Sequence, residues 1–141
     1  MTSLLEQGIT SFLSAFLIEH QSAIAVYAGT SNAVIPPNDP VVIVSVKECV
    51  HDVGPLYRGM LEVIVSTPAI AGKTADVHRH LLASVEEAFD PEYNDAVSTA
   101  TAAAAHCTVN GWFYQGPKDS QANDRWNTTM GFVLGIERMA N

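Results

Sequence analysis

Positive charge is missing from the first third of this chain. No Lys or Arg occurs before Lys47, and the whole sequence holds seven of them against fifteen acidic residues, a net of −8. Phosphate backbones are gripped by Lys and Arg, so this balance argues against a protein that wraps nucleic acid. A surface that only lets DNA pass tolerates it. Charge of either sign is sparse, at 16% of residues against roughly 25% in ordinary soluble domains. That points either to surface covered by neighbouring molecules or to a compact fold rich in Ala, Ser and Thr. Without early bases the N-terminal region lacks the positive segment of a secretory leader, and the longest nearly apolar run, Ile9 to Ile18, is too short to cross a bilayer. The two cysteines, Cys49 and Cys107, allow at most one bridge. The expectation is a soluble, cytoplasm-made, thiol-reduced protein with no membrane contact. Its 141 residues can bury one real core without help from metal or disulfide, so residues 1–141 are expected to form a single domain.

Catalytic signatures are also missing. No Gly-x-Ser-x-Gly elbow occurs, and the carboxylates are scattered without an evident acid/base pair. Gly72-Lys73-Thr74, between an apolar strand and a helix, imitates a phosphate loop, but the glycine needed five residues earlier is Thr67, followed by Pro68, which has no N–H to donate. The stretch fits better as a strand-to-helix connection with Thr74 as N-cap and Asp76 in the first turn. Cys49, His51, His78, His80, His106 and Cys107 come in close pairs. Helical spacing sends His78 inward and His80 outward, and strand spacing separates His106 from Cys107, so three or four zinc ligands do not converge. A thiol nucleophile at Cys49 with His51 as its base is the one enzymatic alternative, on a spacing common by chance. No cofactor is expected.

What is present is periodicity. Leu5, Ile9, Phe12, Leu13, Phe16 and Leu17 mark one face of a helix over residues 3–20, with Ser3 and Glu6 as a capping box. Ala23 to Gly29 fits a short strand, and the three prolines of "SNAVIPPNDP" make a loop. "VVIVSVKECVH" is a strand with Val42, Val44, Val46 and Val50 on one face and Ser45, Lys47, Cys49 and His51 on the other. After a Gly-Pro turn comes its hairpin partner, with Leu61, Val63 and Val65 alternating. Residues 74–89 form a helix with Val77, Leu81, Leu82, Val85, Ala88 and Phe89 inward, stopped by Asp90-Pro91. A second, Ala-rich helix capped by Asp95 runs through residues 102–105. "HCTVNGWFYQG" and "RWNTTMGFVLGIERM" are strands flanking a polar linker, "PKDSQAND", the second with Trp126, Met130, Phe132, Leu134 and Ile136 on one face. Strands that arrive in hairpins give an α+β fold: a mainly antiparallel sheet of two hairpins with two or three helices on one face. Alternation places Phe113 and Trp126 in the core and Trp112 and Tyr114 on the other face, where they can anchor a protein interface.

This order of elements, together with "MLEVIVSTP", "ADVHRHLLASVEEAF" and "DRWNTTMGFVLGIER", resembles the tail-terminator and tail-completion proteins of long-tailed bacteriophages. The matching features are Ser66-Thr67-Pro68 at the strand end, His78 early in the helix and Arg125-Trp126 opening the last strand. The proline loop at 35–40 and the Ala-rich stretch depart from that pattern. The resemblance implies a non-enzymatic virion protein of the tail or neck, assembled in the host cytoplasm. It would form a homo-oligomeric ring, a hexamer, that stops polymerisation of the tail tube protein and meets the head–tail connector while DNA passes unbound. A head-completion or adaptor protein of the same neck is the neighbouring alternative. Ring closure needs two different patches per protomer. Trp112, Tyr114, Lys118 and Asp119 are the expected interface residues, and Lys73 is expected to meet an acidic neighbour.

Overall fold

A computed structural model of the chain describes residues 1–20, 24–29, 38–69, 75–122 and 124–140. Helix α1 (Thr2–Glu19) leads to strand β1 (Ala25–Ala28), then β2 (Val41–His51) and β3 (Leu56–Pro68). Helix α2 (Asp76–Ala88), a single 3₁₀ turn (Pro91–Tyr93) and helix α3 (Asn94–Ala105) precede the hairpin of β4 (Cys107–Ala122) and β5 (Arg125–Arg138). The five strands form one sheet in the order β1-β2-β3-β5-β4, antiparallel throughout except where β1 joins β2 in parallel. This is the α+β architecture that the hairpin pattern predicts.

One face of the sheet carries the core. Val42, Val44 and Val46 of β2, Leu61, Val63 and Val65 of β3, and Met130, Phe132, Leu134 and Ile136 of β5 are buried there in one cluster with the six expected apolar residues of α1. Each such side chain contributes roughly 1.5–3 kcal/mol by leaving water. Gly8 lets α1 cross α3 closely: a Cβ at this position would stand 3.0 Å from Thr101 Cα and 3.2 Å from Ala104 Cβ.

Several expectations are corrected. Ser3 and Glu6 form no capping box; the N-cap is Met1, and Glu6, 1% exposed, turns inward to accept the Val46 N–H at 3.0 Å. The N-cap of α2 is Ala75 rather than Thr74, and that of α3 is Tyr93 rather than Asp95. Val77 is 63% exposed, because the buried stripe of α2 follows His78, Leu81, Val85 and Ala88. The polar linker "PKDSQAND" is mostly strand. Residues 117–122 pair with 125–130, and Asp124 takes the left-handed turn position at φ 58°. Backbone partners offered by β5 override the weak strand propensity of these residues.

Two bulges flip the faces that simple alternation assigns. In β2 the register slips between Val46 and Glu48, so Cys49 turns to the core side while Val50 is 54% exposed. In β4 it slips between Val109 and Gly111. An extra residue in one strand inverts every side chain beyond it. Phe113 is therefore 69% exposed on the helix-free face, and Trp112 and Tyr114 lie on the helix side, opposite Leu134 and Phe132. Trp126 is half-buried at the strand end, outside the core cluster.

Candidate interaction surface

Strand β4 is one edge of the sheet and, at sixteen residues, its longest strand. At the start of β4 the outer edge is closed by Ser98 of α3, whose hydroxyl donates to the Val109 carbonyl at 2.8 Å and accepts the Val109 N–H at 3.0 Å. Past the bulge, Trp112 Nε1 donates to the Phe89 carbonyl at 2.7 Å, and its ring meets that of Phe89 edge-on. This contact ties the C-terminal end of α2 to the edge strand. Tyr114 packs its ring 4.9 Å from Phe132, which lies 4.6 Å from Phe89. Burial raises the Tyr114 pKa, with Glu86 and then Asp119 adding to it, so the phenol stays a neutral donor. Beyond a second slip between Tyr114 and Pro117, Lys118 stands on the helix-free face opposite Thr129, and Asp119 on the helix side opposite Thr128. Of the expected interface residues, then, Trp112, Tyr114 and Asp119 share one side of the edge strand and Lys118 faces the other way. Lys73, with the whole Gly72-Lys73-Thr74 stretch, lies outside the described residues. The strand leading into it, β3, has antiparallel neighbours on both sides, unlike the parallel setting of a phosphate loop.

His78 anchors α2 through side chains rather than through the backbone. Thr128 donates to Asp119 Oδ1 at 2.6 Å. Its oxygen therefore accepts from His78 Nε2 at 2.8 Å, which leaves Nδ1 to accept the Thr67 hydroxyl at 2.9 Å. One directed chain of hydrogen bonds thus crosses from β3 through α2 and β5 to β4. Burial lowers the His78 pKa, opposed by Asp119, in keeping with a neutral ring. The Thr-His-Asp succession imitates a nucleophile relay, but the Thr67 hydroxyl belongs to a residue 2% exposed and Thr128 to one 1% exposed, so no substrate reaches them.

Cys49 and Cys107 are free thiols, and burial raises the pKa of each; for Cys49 the neighbouring Cys107 adds to the effect. His51 Nε2 lies 2.9 Å from the Gly54 carbonyl and its ring lies against Tyr57. A protonated thiol beside a histidine engaged elsewhere is a poor nucleophile. Among the described residues no three His, Cys, Asp or Glu side chains gather as metal ligands, and no helix is long and apolar enough to cross a membrane. Arg125 works as a stitch: Nε donates to Ser66 Oγ at 2.7 Å and Nη2 to the Asp39 carbonyl at 2.6 Å.

Among the described elements no helix covers the second face of the sheet. The registers place Tyr27, Ile43, Met60, Ile64 and Val133 on it, all half-buried, together with exposed Phe113 and an ion pair of 3.5 Å between Lys47 and Glu62. Alternation alone missed Phe113 here; Phe89, read as inward from the helical spacing, is buried beneath Trp112. The signal available was Asn110-Gly111, since glycine inside a strand pattern marks a bulge.

No family model matches the sequence, and no curated protein is similar to it. Among solved structures, a chain whose name states no function superposes with a TM-score of 0.57 over 100% of this chain and 97% of its own, at 15% identity. The two share a fold from end to end. A chain from the virion of a native gene transfer agent particle covers 89% of this chain and 84% of its own at 15% identity, with a TM-score of 0.42. An overlap that loose carries no argument.

Proposed function

We propose that the chain is a non-enzymatic virion protein that forms a ring at the head-proximal end of a phage-type tail, ending tube growth and meeting the head connector while DNA passes. The helix-free sheet face carries this reading. A one-sided sheet with Ile43, Met60, Ile64, Val133 and Phe113 in reach of solvent buries that surface by packing against a neighbour. The acidic edge around Asp119 and α2 supplies a second, chemically different patch, open to another protein of the tail or neck. A protomer of net −8, repeated around a channel, repels rather than binds DNA. The layout resemblance to tail terminators points the same way, and the protonated Cys49 thiol and the enclosed Thr67-His78 relay fit a structural role better than a catalytic one.

Native mass spectrometry tests the reading. The expected result is a discrete multiple of 15.1 kDa, alone or with tail tubes. A strict monomer that never joins purified tails overturns it.

A further inference from the structure

Beside the Trp112–Phe89 contact, a groove of 340 Å³ runs between the C-terminal end of α2 and β4. Its floor is apolar, with Phe89, Tyr114 and Phe132 among its lining, and Glu86 and Asp90 stand on its rim. The adjoining strand edge is closed at both ends. Ser98 occupies Val109 on one side, and on the other Pro117, which has no N–H, follows Gly116 at φ 95° and a register slip. Between these blocks, residues 111–115 of β4 pair with no outer strand among the described residues. A short open edge beside an apolar groove is the arrangement in which an added strand gives backbone hydrogen bonds and places alternate side chains in a pocket. The carboxylates of Glu86 and Asp90, with Asp119 further along the same side, set the charge of whatever binds.

We propose that this edge and groove dock an extended segment of a different protein, one that carries Lys or Arg next to a large apolar side chain. The apolar side chain seats on Tyr114 and Phe132, and the base reaches Glu86 or Asp90. A second copy fits less well, because the chain holds only seven bases and Lys47 and Arg79 already pair with Glu62 and Asp76. The proposal holds whether or not the chain forms a ring.

Selection of a displayed library of random peptides of about eight residues on the full chain, near physiological salt, tests it. The expected outcome is a consensus of Lys or Arg within two positions of Leu, Ile, Phe or Trp. A synthetic consensus peptide should bind one to one by calorimetry, and its affinity should fall about tenfold or more with Glu86→Gln combined with Asp90→Asn, and again with Tyr114→Ala. Phe113→Ser, on the opposite face, should leave it unchanged. The amide variants alter only exposed carboxylates, and a melting curve matching the unmodified chain shows that they fold. No consensus, a consensus without bases, a requirement for bases without an apolar residue, or affinity that survives Glu86→Gln with Asp90→Asn overturns the proposal. So does self-association that Tyr114→Ala abolishes, since the occupant would then be a second copy.

Discussion

His78 ties four elements together. Replacing it by Ala removes the acceptor of the Thr67 hydroxyl and the donor to Thr128, and leaving buried hydroxyls unpaired costs about 1–3 kcal/mol each; Thr128 keeps Asp119, so a total of about 2–4 kcal/mol is expected from urea unfolding. The lowered pKa also predicts a pH dependence. The unfolded chain takes up the proton near 6.5, the native one only at lower pH. The contribution of the neutral ring is thus fully present above about 6.5 and is lost as pH falls from there through the lowered native value. Unfolding midpoints measured from pH 7 to pH 5 should decline in the native sequence and decline less in His78→Gln. Glu6 makes a comparable prediction. Glu6→Ala deprives the buried Val46 N–H of its acceptor and should cost about 1–3 kcal/mol in a thermal or urea melt.

Helices and strands were legible wherever a clean period extends over the whole element. All six apolar residues read from α1 are buried, as are those of β3 and four of the five from β5. Legibility ends at the bulges, because one inserted residue inverts everything after it and only the one in β4 is marked by a glycine, Gly111; the one between Val46 and Glu48 has no such cue. Val50, Cys49, Trp112, Phe113 and Tyr114 were misplaced for that one reason. The groove was illegible for another: Glu86 and Tyr114 are distant in sequence and meet only through packing of α2 on the sheet. Deleting Asn110 tests the first account. Without the extra residue, regular alternation from Val109 keeps Trp112 inward and Phe113 outward on the same partners, so Trp112 emission should keep its wavelength; a red shift would show that another feature sets the faces. Ser98→Ala tests the edge block. It leaves the Val109 N–H and carbonyl without that partner and should cost about 1–3 kcal/mol, with increased aggregation by light scattering as the edge opens.

For the whole molecule, the sheet face without helices separates stability from assembly. Phe113→Asp should leave the unfolding free energy within about 0.5 kcal/mol, because the side chain is 69% exposed. If the face packs against a neighbour, the same change should reduce the assembled fraction in native mass spectrometry. Equal assembly would place the subunit contact elsewhere. The close crossing at Gly8 bears on the order in which the chain acquires its structure. Helix α1 leaves the ribosome well before the helix it packs against most extensively, α3, which begins only at Asn94. At roughly 5–20 residues per second, the apolar stripe from Leu5 to Leu17 stays without that cover for several seconds of synthesis. During that interval a nascent-chain chaperone has the use of it, and α1 gains its contact with α3 only after residues 94–105 emerge.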